Sequence, residues 1–489
     1  MKLKETLNKE YFSIELYKYI LSALLACVMG IFISMVVFAD AILSKTDTVL
    51  IPLVFSLIYF AALLIISRLK DIKLFDFSVI AALLAAVVVC RVSMLQMVSM
   101  DYHNFIYKWL ESMSKIDFSS AITTKIGDYN LPYLYFLAVL SRFENGWLVC
   151  VKALSCIFDV VLAYYVMKIA SLKIKSNKIK ALIFVLTLAI PTVLLNSAGW
   201  GQCDSIYGAL CIGSIYYALT DKGTKSMVMF SLAFAFKLQA IFIIPILIIC
   251  FILGKIDWYK LLIVPIVYIA CMFPAIVCGR GLYESLFVYV DQASQTQYQK
   301  MTLNATSIWT LLEDGAYSTY KWVGIMLAAL VALVYVYLCY IYADRIETKE
   351  LVIVAYLTTL ALPFFLPSMH DRYFFIADVL SVLVFVYDRR KWYVPFVTVF
   401  ASFATYAIFL INVAGLYNLK VFTVALMVVM IVLTKDLFEN LRAKEPVRTF
   451  PIAQKTIVED TFEEDKTDDV QSKEVCQFAE ESEAEEASV

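Results

Sequence analysis

Histidine is nearly absent from this chain: two residues in 489, His103 and His370. Two histidines argue against a metal centre built from imidazoles. The 14 glycines are scattered. They form neither a G-x-G-x-x-G turn nor a P-loop, so no local motif cradles a nucleotide phosphate. The 11 cysteines contain no C-x-x-C pair. Ten of them lie in or beside apolar segments, where cysteine acts as a small hydrophobe. Charge is also scarce, at 17% of residues against 62% hydrophobic and 15% aromatic. A soluble chain is nearer half apolar. No nucleic-acid partner is expected.

Long apolar runs are abundant instead. From Leu16 to Thr434 they recur at about 17–25 residues, enough to cross a bilayer core. The composition therefore predicts an all-α polytopic membrane protein with about 12–14 transmembrane helices. The first run, about Tyr17 to Leu43, is too long for the apolar core of a signal peptide and reads as a span. Three regions are expected: N-terminal spans over 1–98, a transmembrane core over 99–434, and an acidic tail over 435–489. Residues 459–489 hold 13 acidic and 2 basic residues, so the rest of the chain carries 10 more basic than acidic side chains. Few large apolar residues occur in the tail, which is expected to be disordered and solvated.

Lys and Arg concentrate on the cytoplasmic side of membrane proteins. Lys2, Lys4 and Lys9, then Arg68, Lys70 and Lys73, then Lys168 to Lys180, Lys222 and Lys225, Lys255 and Lys260, Arg345 and Lys349, Arg389 to Lys391, and Lys435 to Arg448 fall at alternate loops. One arrangement puts all of them inside, with about 14 crossings and both termini cytoplasmic. It makes "MVMFSLAFAFK" and "LQAIFIIPILIICFIL" a pair of short, broken helices. It also makes Leu131 to Phe143 a half-dip or interfacial helix. Five polar segments then fall on one outer face: Ser99 to Asn130, Gly199 to Asp204, Lys237 to Gln239, Gly279 to Lys321, and Ser368 to Arg372.

These segments hold the candidate residues. Asp101 directly follows an apolar run, where partial desolvation suits a carboxylate to take a proton. His103 could assist it or simply sit at the interface. Tyr129 and Asn130 lie in a turn leading into an aromatic helix. In "NSAGWGQCDSIYGAL", Asp204 opens a helix, as capping and the helix dipole favour. Trp200 and Gln202 beside it form a cluster able to stack on and hydrogen-bond a hydroxylated ligand. Lys237 sits between two apolar segments, free to snorkel to water or to bind a lipid phosphate. His370 and Arg372 in "LPSMHDRYFF" stand at an outer helix start, against both the helix dipole and the cytoplasmic bias of basic residues. An anionic phosphate partner accounts for both.

The order "MDYHNFIYKW", "GDYNLPYLYF", "NSAGWGQCDSIYG", "FKLQAIFIIP", "LPSMHDRYFFIADVLSVL" resembles the GPI-mannosyltransferase-II-like membrane mannosyltransferases of the GT-C superfamily. The W-G-Q-x-D and M-H-[DE]-R-Y-F blocks are its specific part, and it covers roughly Ser99 to Leu383. The resemblance implies a GT-C-like bundle and a polyprenyl-phosphate-linked hexose donor, with mannose first and glucose second. It implies Asp101 as catalytic base and Lys237, His370 and Arg372 at the donor phosphate. Trp200, Gln202, Asp204, Tyr102, Tyr129 and Asn130 would shape the sugar and acceptor pocket. Many relatives carry acidic pairs in the first outer loop. This chain has Asp-Tyr-His there, so a divalent cation is left open, and no metal ligand or other cofactor is assigned.

The chemistry agrees with the residues. In an inverting single displacement an acceptor hydroxyl attacks the anomeric carbon while a lipid phosphate leaves. That needs a base and a cation on one face. The acceptor is a glycan, a lipid or a protein of the cell envelope, with membrane lipids as surroundings. A transporter or flippase of lipid-linked saccharides is the main alternative, followed by a polysaccharide polymerase or ligase and a non-catalytic scaffold. Transporters tend to show inverted repeats, and none is visible.

Overall fold

The computed structural model describes residues 2–38, 44–143, 145–294, 299–312, 317–411 and 418–446. Most of the expected acidic tail, 447–489, lies outside the described residues. The described chain is almost wholly helical. Three long helices open it: α1 (Lys2–Phe38), α2 (Lys45–Ser67) and α3 (Leu74–Ser93). Three short ones follow, α4 (Tyr107–Ser114), α5 (Phe118–Thr123) and α6 (Leu131–Leu140). The middle of the chain forms α7 (Trp147–Ala170), α8 (Asn177–Ala189), α9 (Pro191–Leu194), α10 (Asp204–Leu219), α11 (Gly223–Phe236), α12 (Ile244–Ile252) and α13 (Ile263–Val277). The short α14 (Leu282–Leu286) and α15 (Val288–Ser294) lead to the last group. That group is α16 (Tyr317–Ile341), α17 (Thr348–Phe365), α18 (Phe375–Tyr387), α19 (Tyr393–Ile411) and α20 (Leu419–Ala443).

Among the described residues nine helices are long and apolar enough to cross a membrane, ten if a bent pair counts as one span. This is an integral membrane protein. The expected 12–14 crossings are reached only by adding α10 (16 residues), α11 (14), the Leu238–Ile252 segment and α18 (13). These are shorter than a full bilayer span. Helix α20 continues to Ala443, so the first residues assigned to the tail are helical.

Burial sorts the helices. The most apolar stretch of α17 is 78% buried, whereas that of the helical Trp258–Val277 segment is only 11% buried. Helix α17 is therefore central, and α13 presents Ile266, Ile269 and Phe273 outward, as a lipid-facing helix does. Helices α1–α3 pack with α7 and α8 around one core cluster, and α10–α12 and α17–α20 build the other. Tyr59 of α2 donates to the Ala81 carbonyl of α3 at 2.9 Å, satisfying a buried hydroxyl between helices.

The helix breaks position the site. Pro191 lacks an N–H and forces Ile190 to an extended ψ of 124°, so the chain bends 54° between Asn177–Ala189 and Pro191–Trp200. It then runs as a π-helical turn over Leu195–Trp200, closed by Gly201 at φ +77°, where glycine is the residue with no steric cost. Lys237 is extended (φ −154°, ψ 133°) between α11 and a 3₁₀ turn over Leu238–Ile243. This is the broken hairpin the sequence predicts. Strands β1 (Thr302–Leu303) and β2 (Met369–His370) pair in parallel and staple the long loop before α16 to the His370 segment.

Candidate active site

The breaks converge on a cavity of about 1450 Å³. All five polar segments expected on one face contribute to its lining. Asp101, Asp128, Tyr129 and Asn130 come from the first segment, Gln202 from the second, and Lys237 and Gln239 from the third. The long loop adds residues including Lys300 and Lys321, and Ser368 to Arg372 supply the last wall. A volume of this size exceeds what one hexose needs and suits a drug-sized or larger ligand.

Asp101 is the best-defended carboxylate facing it. Trp200 Nε1 donates to its Oδ2 at 3.0 Å, Gln202 Nε2 at 2.7 Å, and Arg372 Nη1 at 3.3 Å. All three donors engage one oxygen, and Oδ1 accepts none of them. The side chain stays 23% exposed, so the second oxygen is open to the cavity. The helical period explains the neighbours. Asp101, Phe105 and Trp109 share one face and line the cavity. Tyr102 points into the core, 6% exposed, and His103 stacks on Tyr107 on another face.

Arg372 lies between two carboxylates, 3.3 Å from Asp101 and 3.6 Å from Asp204. Its guanidinium also sits 5.5 Å from the centre of the Trp200 ring, a cation–π contact. Burial opposes its charge, but Tyr129, Asp101 and Asp204 outweigh it and hold its pKa well above the usual arginine value. Lys237 pairs with Asp204 and lies over the rings of Tyr129 and Tyr207. Asp204 also accepts from Asn196 Nδ2 at 2.8 Å.

His370 is pushed well below the ordinary histidine pKa by burial and by Arg372 and Lys237. It is therefore a neutral imidazole at physiological pH, able to hydrogen-bond a phosphate but adding no charge to it. Burial raises the Asp371 carboxyl to about 7, against the pull of Arg372. Asp371 Oδ1 accepts the backbone N–H of Arg372 at 2.9 Å.

The pocket residues divide. Gln202, Tyr129 and Asn130 line the cavity. Tyr129 donates to Gln202 Oε1 at 3.1 Å, and Asn130 caps α6 through the Leu131 N–H. Trp200, Asp204 and Tyr102, expected as pocket wall, lie behind it. Trp200 is 1% and Asp204 0% exposed. Trp200 is turned inward by stacking on Phe409 and by its bond to Asp101, and Asp204 by its two cations. Among the described residues no three His, Cys, Asp or Glu side chains gather so as to hold a metal ion.

Arg91, Asp159 and Lys152 are among the charged residues inside apolar helices that escaped the sequence reading. Arg91 of α3 pairs with Asp159 of α7 at 2.6 Å, both buried. Lys152 of α7, 0% exposed, donates to the carbonyls of Met94, Leu95 and Met97 at 2.9, 3.0 and 2.7 Å. The signal that finds them is an ionisable side chain within a span, which is costly unless it serves a purpose.

No curated protein matches the sequence. Residues 129–364 match the model of glycosyltransferase family 87. That interval holds Tyr129, Gln202, Asp204 and Lys237, and it stops short of Asp101 on one side and His370 to Arg372 on the other. The match does not favour transport of lipid-linked saccharides; joined to the apolar helices, it supports a membrane glycosyltransferase.

Proposed function

We propose that the chain transfers a hexose, mannose before glucose, from a polyprenyl-phosphate-linked donor to an acceptor hydroxyl in an inverting single displacement. One observation carries this reading: Asp101 has one oxygen open to the cavity while its other oxygen is held by Arg372, so base and cation face one ligand. Asp101 takes the acceptor proton. Arg372, with Lys237 and neutral His370, receives the leaving phosphate, a use of preorganised cations where charge develops. A phosphate entering beside Arg372 competes with Asp101 for the guanidinium and so frees the carboxylate to act as base.

Gln202, Tyr129 and Asn130 contact sugar or acceptor, while Trp200, Asp204 and Tyr102 support them from behind. The positive-inside pattern puts both termini in the cytoplasm and the site on the outer face of the cell membrane. The acceptor is then a glycan, lipid or protein of the envelope. The GPI-mannosyltransferase-II-like kinship rests on the W-G-Q-x-D and M-H-[DE]-R-Y-F blocks. Feeding labelled polyprenyl-phosphate mannose and glucose to membranes with and without the protein tests this reading. Label should enter a new product only when the protein is present. Equal products in both membranes would exclude the activity.

A further inference from the structure

The oxygen atoms of Asp159 bracket the loop that orients Asp101. Ser197, before Trp200, donates to Asp159 Oδ2 at 2.5 Å, and Ser205, after Gln202, donates to Oδ1. Between these two hydroxyls lie the indole and the carboxamide that hold Asp101 Oδ2. Ser155 donates to the Gln202 carbonyl at 2.6 Å. Arg91 reaches both Ser197 Oγ, at 2.8 Å, and the Leu188 carbonyl, at 2.7 Å. The segment leading to Asp101 is tied to the same helix, because Lys152 gathers the Met94, Leu95 and Met97 carbonyls just after α3. Ser99 then donates to the Trp200 carbonyl at 2.8 Å and accepts the Tyr102 N–H at 3.1 Å.

Lys152, Ser155 and Asp159 stand at i, i+3 and i+7, one face of α7. We infer that this buried face is a positioning rail for Asp101. Lys152 fixes where its backbone stands, and Asp159, with Arg91, fixes the loop that sets its carboxylate. The rail links two parts of the chain: Arg91 and Asp101 precede the family match at 129, whereas α7 lies within it. A displacement of about 1 Å in such a group is enough to cost on the order of 100-fold in rate.

The inference rests on Asp101 being the base of a glycosyl transfer, so two readouts are combined. The first is amide hydrogen exchange over 195–204 in purified full-length protein. Asp159→Asn should accelerate exchange there and leave α16 unchanged. The second is turnover with polyprenyl-phosphate mannose. Asp159→Asn should lower kcat at least about 10-fold with the donor KM unchanged. Added to Asp101→Asn, it should cost nothing further, the non-additivity expected of groups acting through one residue. Ser155→Ala, which leaves no charge unpaired, serves if Asp159→Asn fails to fold, and should show the same pattern at smaller amplitude. Unchanged exchange over 195–204 overturns the rail. Equal losses in the parental and Asp101→Asn backgrounds overturn it as well, reducing it to a stabilising contact. If the parental protein turns over no donor, the proposed function fails, and the exchange result alone decides whether the loop is held by α7.

Discussion

Two arginine–aspartate pairs sit near one end of this bundle, built from the same two residue types. Arg372 and Asp101 are 3.3 Å apart, with side chains 12% and 23% exposed. Arg91 and Asp159 are 2.6 Å apart, with side chains 3% and 0% exposed. The sealed pair has its carboxylate filled, with a serine on each oxygen and the arginine besides. The open pair has three donors crowded onto one oxygen and the other turned to a cavity. The difference teaches that access and an unused acceptor, more than the presence of the pair, separate a reactive carboxylate from a structural one. The sealed pair needs its extra hydrogen bonds because desolvating two charges costs more than their attraction returns unless the remaining polar atoms are satisfied.

The comparison can be broken most severely at Asp101. Asp101→Asn should lower transfer by roughly 10²–10⁴-fold, the range for a lost general base. Its thermal unfolding should stay close to parental, because a carboxamide oxygen still accepts from Trp200 and Gln202. The sealed pair should respond the other way round in stability. Asp159→Leu leaves Arg91 charged and unpaired and should destabilise by about 3–5 kcal/mol. The double change Arg91→Met/Asp159→Leu should recover most of that loss in thermal unfolding in detergent. A double variant as unstable as Asp159→Leu alone would contradict the description of the pair as a closed ionic unit.

Arg372→Ala should act mainly on the donor, raising its KM on the order of 100-fold. Arg372→Lys should restore only part, since an ammonium cannot make the forked contacts of a guanidinium. An unchanged donor KM would remove Arg372 from the phosphate site.

The smallest expected effect concerns Asp371. Its folded carboxyl holds its proton up to about 7, above the ordinary 3.8. Between those values the folded state binds more protons than the unfolded one, so this group makes stability fall as pH rises from about 4 to 7. Asp371→Asn should flatten that part of the pH–stability curve, and an identical slope in the variant would contradict the assignment.

Much of this was legible in the sequence, for local reasons. The hairpin broken at Lys237 and the short Leu131–Leu140 helix follow from run length. The segments lining the cavity follow from where polar residues interrupt apolar text. Asp204 shows the limit of such reading. As a helix-opening residue it is explained by capping, yet its neighbours in space are Lys237 and Arg372, 33 and 168 positions away. Pairings at that separation leave no periodicity or motif in one sequence. The same holds for Arg91 and Asp159, where the trace was only the cost of a charge in an apolar helix. Trp200 was expected as pocket wall and instead stacks on Phe409 behind the cavity, because spacing cannot tell a ring that lines a cavity from one that packs behind it.

The central claim is that Asp101 takes the acceptor proton in a sugar transfer from a lipid phosphate. It is tested most directly by giving labelled polyprenyl-phosphate mannose to equal, folded amounts of the parental protein and Asp101→Asn in acceptor-containing membranes. The account expects labelled product from the first and at most about one per cent of that rate from the second. Transfer by Asp101→Asn at the parental rate would contradict it.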